Sequence, residues 1–198
     1  MFILIFIATL IGSAWAHELG HNVAAFTQGV LVIPTPLKEY TLQDQVEWRQ
    51  EIWISLGGVA TTIFLVVGIV TWYLLKERQH GDAILAGVFT APAVYTFRFL
   101  IVGRGHDDVE WQAAQTAIGA NTNGHFFDVT FVFLCLAGTV AWLIRRRGSL
   151  RVSSLLNLVA LMVLGITLLA TLQSFNNKLF DRFFPDTRVV HEPVLESK

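Results

Sequence analysis

Long apolar runs separated by short polar ones dominate the chain and set its architecture. Five stretches are long and apolar enough to cross a bilayer: about Phe2 to Phe26, Ile52 to Leu75, Ala83 to Val102, Phe126 to Ile144 and Leu150 to Leu172. A hydrocarbon core of about 30 Å takes roughly 20 residues of helix, which each run supplies. Glycine and proline inside the runs, in "SLGGVATT" and "FTAPAVY", are tolerated in membrane helices and mark close packing or a local break. The predicted fold is an all-α polytopic membrane protein with about five transmembrane helices. No internal repeat or low-complexity tract interrupts it.

The polar segments carry the orientation. "KERQHGD" follows the second run and "RRRGSLR" joins the fourth to the fifth. Consecutive spans alternate in direction, so both basic loops fall on one face, which the positive-inside rule makes cytoplasmic. Residues 1–175 are expected to form one integral membrane domain, and 176–198 a polar and aromatic tail on the opposite face. After the first run, "GVLVIPTP" has the alternation and β-branching of a short interfacial strand ended by prolines, or is an interfacial loop. As a strand it would offer an edge to an extended peptide.

Composition agrees with the pattern. Of 198 residues, 54% are hydrophobic and 15% charged, and the net charge is −1. Soluble domains carry roughly 25% charged residues, so the lipid bilayer is the expected environment. The near-zero charge argues against a nucleic-acid partner. One cysteine, Cys135, excludes an intrachain disulfide framework and any multi-cysteine metal site. Ala14-Trp15-Ala16 resembles a signal-peptidase site, which would leave His17 at a new N-terminus. The absence of any Lys or Arg before it, and the helical pattern of "NVAAFTQGV" beyond it, favour an uncut first span.

One stretch conflicts with its apolar setting. "AWAHELGHNVAAF" places His17, Glu18 and His21 near the end of the first run. Ionisable groups at mid-bilayer cost about 2.5–3.5 kcal/mol on insertion scales and are usually functional where they persist. His17-Glu18-Leu19-Gly20-His21 matches H-E-x-x-H. Positions four apart share a helix face, so both histidines can hold one Zn2+, with Glu18 beside them as base toward a zinc-bound water.

Such a site needs a third protein ligand. His17 lies roughly 23 Å along the first helix, near one end of the core. Alternation of the spans brings Gly57-Gly58, His106-Asp107-Asp108 and Asn123-Gly124-His125 to that same layer, opposite the basic loops. Asp107 is the first candidate for the third ligand, Asp108 the second, and His106 a rival. A cap for the helical "VEWQAAQTAIG" is another use of the two aspartates. Gly57, Gly58, Asn123 and His125 are the candidate substrate-binding residues, and His125 is a further, weaker candidate ligand.

With these residues in place, the chain resembles the site-2-protease family of intramembrane zinc metallopeptidases, as a small single-domain member without a PDZ insertion. "HELGHNVAAFTQGV" is similar to that family's metal helix and following strand, and "SLGGVATT" looks like its glycine-rich helix. "HDDVEWQAA" resembles the place of its later aspartate, although the usual N-x-x-P-x-x-D-G context is missing. The resemblance covers about Met1 to Ala120, and only its first motif is specific. It implies zinc held by His17, His21 and an aspartate, Glu18 as general base, and cleavage of a membrane-associated protein or peptide. The family's site usually faces the cytoplasm, whereas the loop charges here place it outside. The alternatives are a zinc hydrolase acting on a lipid amide or ester, and a non-catalytic metal-binding membrane scaffold.

Overall fold

The structure, a computed structural model, describes residues 1–35, 39–41, 46–76, 80–103, 125–147, 152–183 and 188–189. Its helices are α1 (Phe2–Thr27), α2 (Trp48–Leu75), α3 (Gly81–Val102), α4 (Phe126–Arg146) and α5 (Val152–Phe183). Among the described residues, five helices are long and apolar enough to cross a membrane. The chain is an integral, multi-pass membrane protein of the all-α class. Large apolar side chains such as Phe64, Phe26 and Ile101 stand almost fully exposed around the bundle, a surface that suits lipid and not water. The last helix runs to Phe183, well past Leu172, and the sequence shows why. "QSFNNKLFDRF" keeps helical composition while losing the apolar character by which a span is recognised.

α1 and α2 form an antiparallel hairpin whose contacts descend one turn at a time. Glu47 and Gln50 make a reciprocal capping box that starts α2. The Gln50 side chain also donates to the Gln28 carbonyl at the end of α1, 2.9 Å away. About two turns deeper, Gly20 and Gly57 meet backbone to backbone, and a Cβ on either would collide with the carbonyl of the other. Small residues permit that approach, which supplies the packing that lipid-solvated helices otherwise lack.

α3 runs parallel to α1. Gly87 fits against Phe6, Thr9 and Leu10, and Tyr95 faces His17 a little over two turns further on. α4 runs antiparallel to α3, through Phe89 against Gly138, Thr96 against Cys135 and Phe99 against His125. The main core lies between α2, α3 and α4, around Val59, Val66, Val88, Phe127 and Phe131. α5 packs lightly, with 11% of its apolar window buried.

At the end where α4 finishes, Asp82 accepts from the Tyr73 hydroxyl at 2.6 Å and pairs with Arg146, while Arg145 donates to the Lys76 carbonyl. This end lies opposite the histidines. At the histidine end, β1 (Val32–Pro34), β2 (Glu39–Thr41) and β3 (Arg188–Val189) form an antiparallel sheet in that order. Val32 pairs with Thr41, and Tyr40 with Val189. The strand after the first helix is therefore present, and part of the C-terminal tail joins the same sheet.

Candidate metal centre

His17 and His21 lie one turn apart on α1 with 7% and 2% of their surface exposed. Their rings meet edge to face, and their Nε2 atoms are 3.0 Å apart. Both Nδ1 atoms turn to α2. His17 Nδ1 is 2.7 Å from the Thr62 hydroxyl, and His21 Nδ1 is 2.7 Å from the Ile54 carbonyl. A carbonyl only accepts, so a neutral His21 carries its proton on Nδ1 and its lone pair on Nε2. Thr62 can donate or accept, so it fits either tautomer of His17.

The spacing along α2 explains how one helix serves both rings. Ile54, Gly58 and Thr62 are four residues apart and share a face. Ile54 binds His21, Thr62 binds His17, and Gly58 leaves room between them. A Cβ on Gly58 would occupy the place of the His21 imidazole. Gly57 meets Gly20 and Ala24. The room both glycines leave is thus filled by α1, and they position the histidine helix.

Two imidazole nitrogens are half of a tetrahedral zinc sphere. Bonds of about 2.0–2.1 Å in tetrahedral geometry put two imidazole nitrogens roughly 3.3 Å apart, close to the separation of this pair. The outward hydrogen bonds are the partners that metal-bound histidines ordinarily have. Glu18 is half-buried on the next position of α1. Its carbonyl accepts from Asn22 Nδ2 at 2.7 Å. Asn22 is itself buried, and its Oδ1 has no hydrogen-bond partner among the described residues. That orphan acceptor, one turn from Glu18, is a place for a polar group that the described chain does not supply.

On the inner side of His17, a cavity of about 10 Å³ is lined by Ser13, Thr62, Pro92 and Tyr95 among others. Pro92 has no N–H to offer the carbonyl of Val88, so α3 lacks one helical hydrogen bond at this level. The space suits about one water molecule.

Asp107, Asp108, His106 and Asn123 lie outside the described residues, as does the helix expected over "VEWQAAQTAIG". Among the described residues no group of three or more His, Cys, Asp or Glu side chains gathers at one point. What the described residues bring together is therefore the histidine pair. His125 is at the start of α4, half exposed, with its ring 5.5 Å from Phe99 and its Nδ1 3.5 Å from Asp128. Phe99 lies one turn beyond Tyr95 on α3, so His125 stands outward of the histidine pair.

Four participants escape a reading of the sequence: Thr62, Tyr95, Asn22 and Asp128. Thr62 carried a signal, being a hydroxyl four residues after Gly58 on the glycine-bearing face. Asp128, buried at 1% exposure in the first turn of α4, carried another as an acid at the start of an apolar span. Asn22 adjoins the motif itself. No protein-family model, curated protein or solved structure matches the chain.

Proposed function

We propose that the protein is an intramembrane zinc metallopeptidase that hydrolyses a peptide bond of a membrane-associated protein. The observation that carries this reading is the convergence of the His17 and His21 Nε2 atoms, with both Nδ1 atoms held by α2; Glu18 follows His17 directly in the sequence. In a helix bundle facing lipid, two buried imidazoles and a carboxylate are costly without a shared task. His17 and His21 would hold the ion, with Asp107 or Asp108 as the proposed third ligand. Bound there, zinc supplies Lewis acidity toward water and toward a carbonyl oxygen.

The chain's own residues do the rest. Thr62 and Ile54 fix the two rings, so the lone pairs stay aimed at one point. Glu18 accepts the proton of the attacking water on a carboxylate oxygen and returns it to the leaving nitrogen. Asn22 Oδ1, buried one turn away and without a partner among the described residues, would accept from a substrate N–H. Among the described residues β1 is the outer strand of its sheet at the histidine end, and an extended peptide could add to its edge. Extension matters because a helical substrate hides its carbonyls in internal hydrogen bonds.

Glu18→Gln tests the assignment with little change in shape. The purified variant should retain zinc and lose cleavage of a single-span helical peptide by several orders of magnitude. Undiminished hydrolysis would remove Glu18 from the proposed role. Turnover of acyl-amide lipids but not of peptides would move the substrate class to lipids.

A further inference from the structure

We propose that the cleft between α3, α4 and α5, with the polar pocket at its basic end, binds one anionic phospholipid. The cleft is a cavity of about 590 Å³ walled by apolar side chains, among them Phe89, Phe97, Leu100, Trp142 and Val159. It exists because α5 crosses the bundle with few contacts, leaving the groove between α3 and α4 incompletely covered. A second cavity of about 490 Å³ lies where α1 begins, lined by Asp82, Arg146, Ser154 and Asn157 beside Phe2 and Ile3. Trp142 and Leu158 line both cavities, so the two adjoin. One space is apolar and the next has a cation, a hydroxyl and an amide.

That sequence of surfaces matches a phospholipid and points to its charge. Arg146 gives one N–H to Asp82 and has five in all, so donors remain for a phosphate. Among the described residues, Lys76, Arg145, Arg146 and Arg147 cluster at this end with Asp82 as the acid between them. The surplus is positive, which favours an anionic headgroup. Ser154 and Asn157 can bond its esters. Depth agrees as well. From Arg146 down α4 to Cys135 is about 16 Å at 1.5 Å per residue, close to half of a 30 Å core. An acyl chain would therefore run from the headgroup level to the middle of the bilayer against Trp142, Phe89 and Cys135. The headgroup pocket lies at the opposite end from the histidine pair, and the site stands independently of the peptidase reading.

The test places the full chain in phosphatidylcholine vesicles containing a little phosphatidylglycerol with a photoactivatable diazirine in its acyl chain. Adducts should concentrate on cleft-facing residues of α3, α4 and α5. Phosphatidylcholine carrying the same diazirine should label them about tenfold less, a discrimination that one charge-assisted contact can supply. Arg146→Gln should abolish that headgroup preference. Val159→Trp, at an exposed position on α5, should fill the cleft and remove adducts from both lipids while helical content is unchanged. Adducts spread evenly over outward residues such as Phe64 and Ile101, or equal labelling by the two lipids, would overturn the proposal. So would crosslinks between two copies of the chain through this cleft in place of lipid adducts.

Discussion

The Nε2 atom of His17 lies 3.0 Å from the Nε2 atom of His21, with both rings anchored by α2 rather than by α1. Two imidazoles four residues apart on a helix share a face, yet their rings need not converge. Here convergence is imposed from outside by a hydroxyl and a carbonyl on a neighbouring helix. The tautomers follow. With His21 protonated on Nδ1, its Nε2 accepts from His17 Nε2–H when no cation is present, and Thr62 then donates to His17 Nδ1. With a cation on the Nε2 atoms, a neutral His17 would instead carry its proton on Nδ1, and Thr62 would accept it. Thr62 is suited to both states because a hydroxyl can reverse its role.

Thr62→Val keeps the shape of that side chain and removes its hydrogen-bonding oxygen. Zinc affinity should fall by about 10–100-fold, the usual effect of losing a partner of a metal-bound histidine. Thr62→Ser should restore most of it. Competition with a chelator of known affinity measures both, and equal affinity in all three proteins would show that Thr62 does not orient His17.

Gly58→Ala tests space instead of hydrogen bonding. The added methyl overlaps the His21 ring, so the ring must rotate away from His17. Zinc content should drop sharply while α2 gains helix propensity and the bundle stays folded. Chelator competition and circular dichroism on the same sample separate the two effects. A variant with full zinc affinity would mean that His21 is not held against Gly58.

Tyr73→Phe addresses the opposite end. The Tyr73 hydroxyl donates to Asp82, which also pairs with Arg146, so three helices are joined at one carboxylate. Loss of that hydrogen bond should cost about 0.5–1.5 kcal/mol of stability, read as a lower unfolding temperature in detergent. Zinc binding should be unaffected, because the network lies across the membrane from the histidines. A fall in zinc affinity would contradict that separation.

The spans and the helix carrying H-E-x-x-H were legible from the sequence for simple reasons, and the strand after the first helix was one of two readings its alternation allowed. Twenty apolar residues permit little else in a bilayer, and positions four apart on a helix share a face. Helix rotation was not legible. A lipid-facing surface is as apolar as a packed one, so hydrophobic periodicity does not distinguish the face of α2 bearing Thr62 from the face bearing Phe64. The Gly20–Gly57 approach reads clearly only once both helices are in register, since glycine is frequent throughout such segments. The length of α5 was missed for the opposite reason. Its last turns, around Asn176 and Lys178, are helical without being apolar.

The proposed peptidase needs a single ion shared by two imidazoles, and metal analysis of purified protein tests for it most directly. Wild type should carry one zinc per chain, Glu18→Gln the same, and His21→Ala almost none. Zinc that is substoichiometric in the wild type, or present in equal amount after His21 is removed, would contradict it.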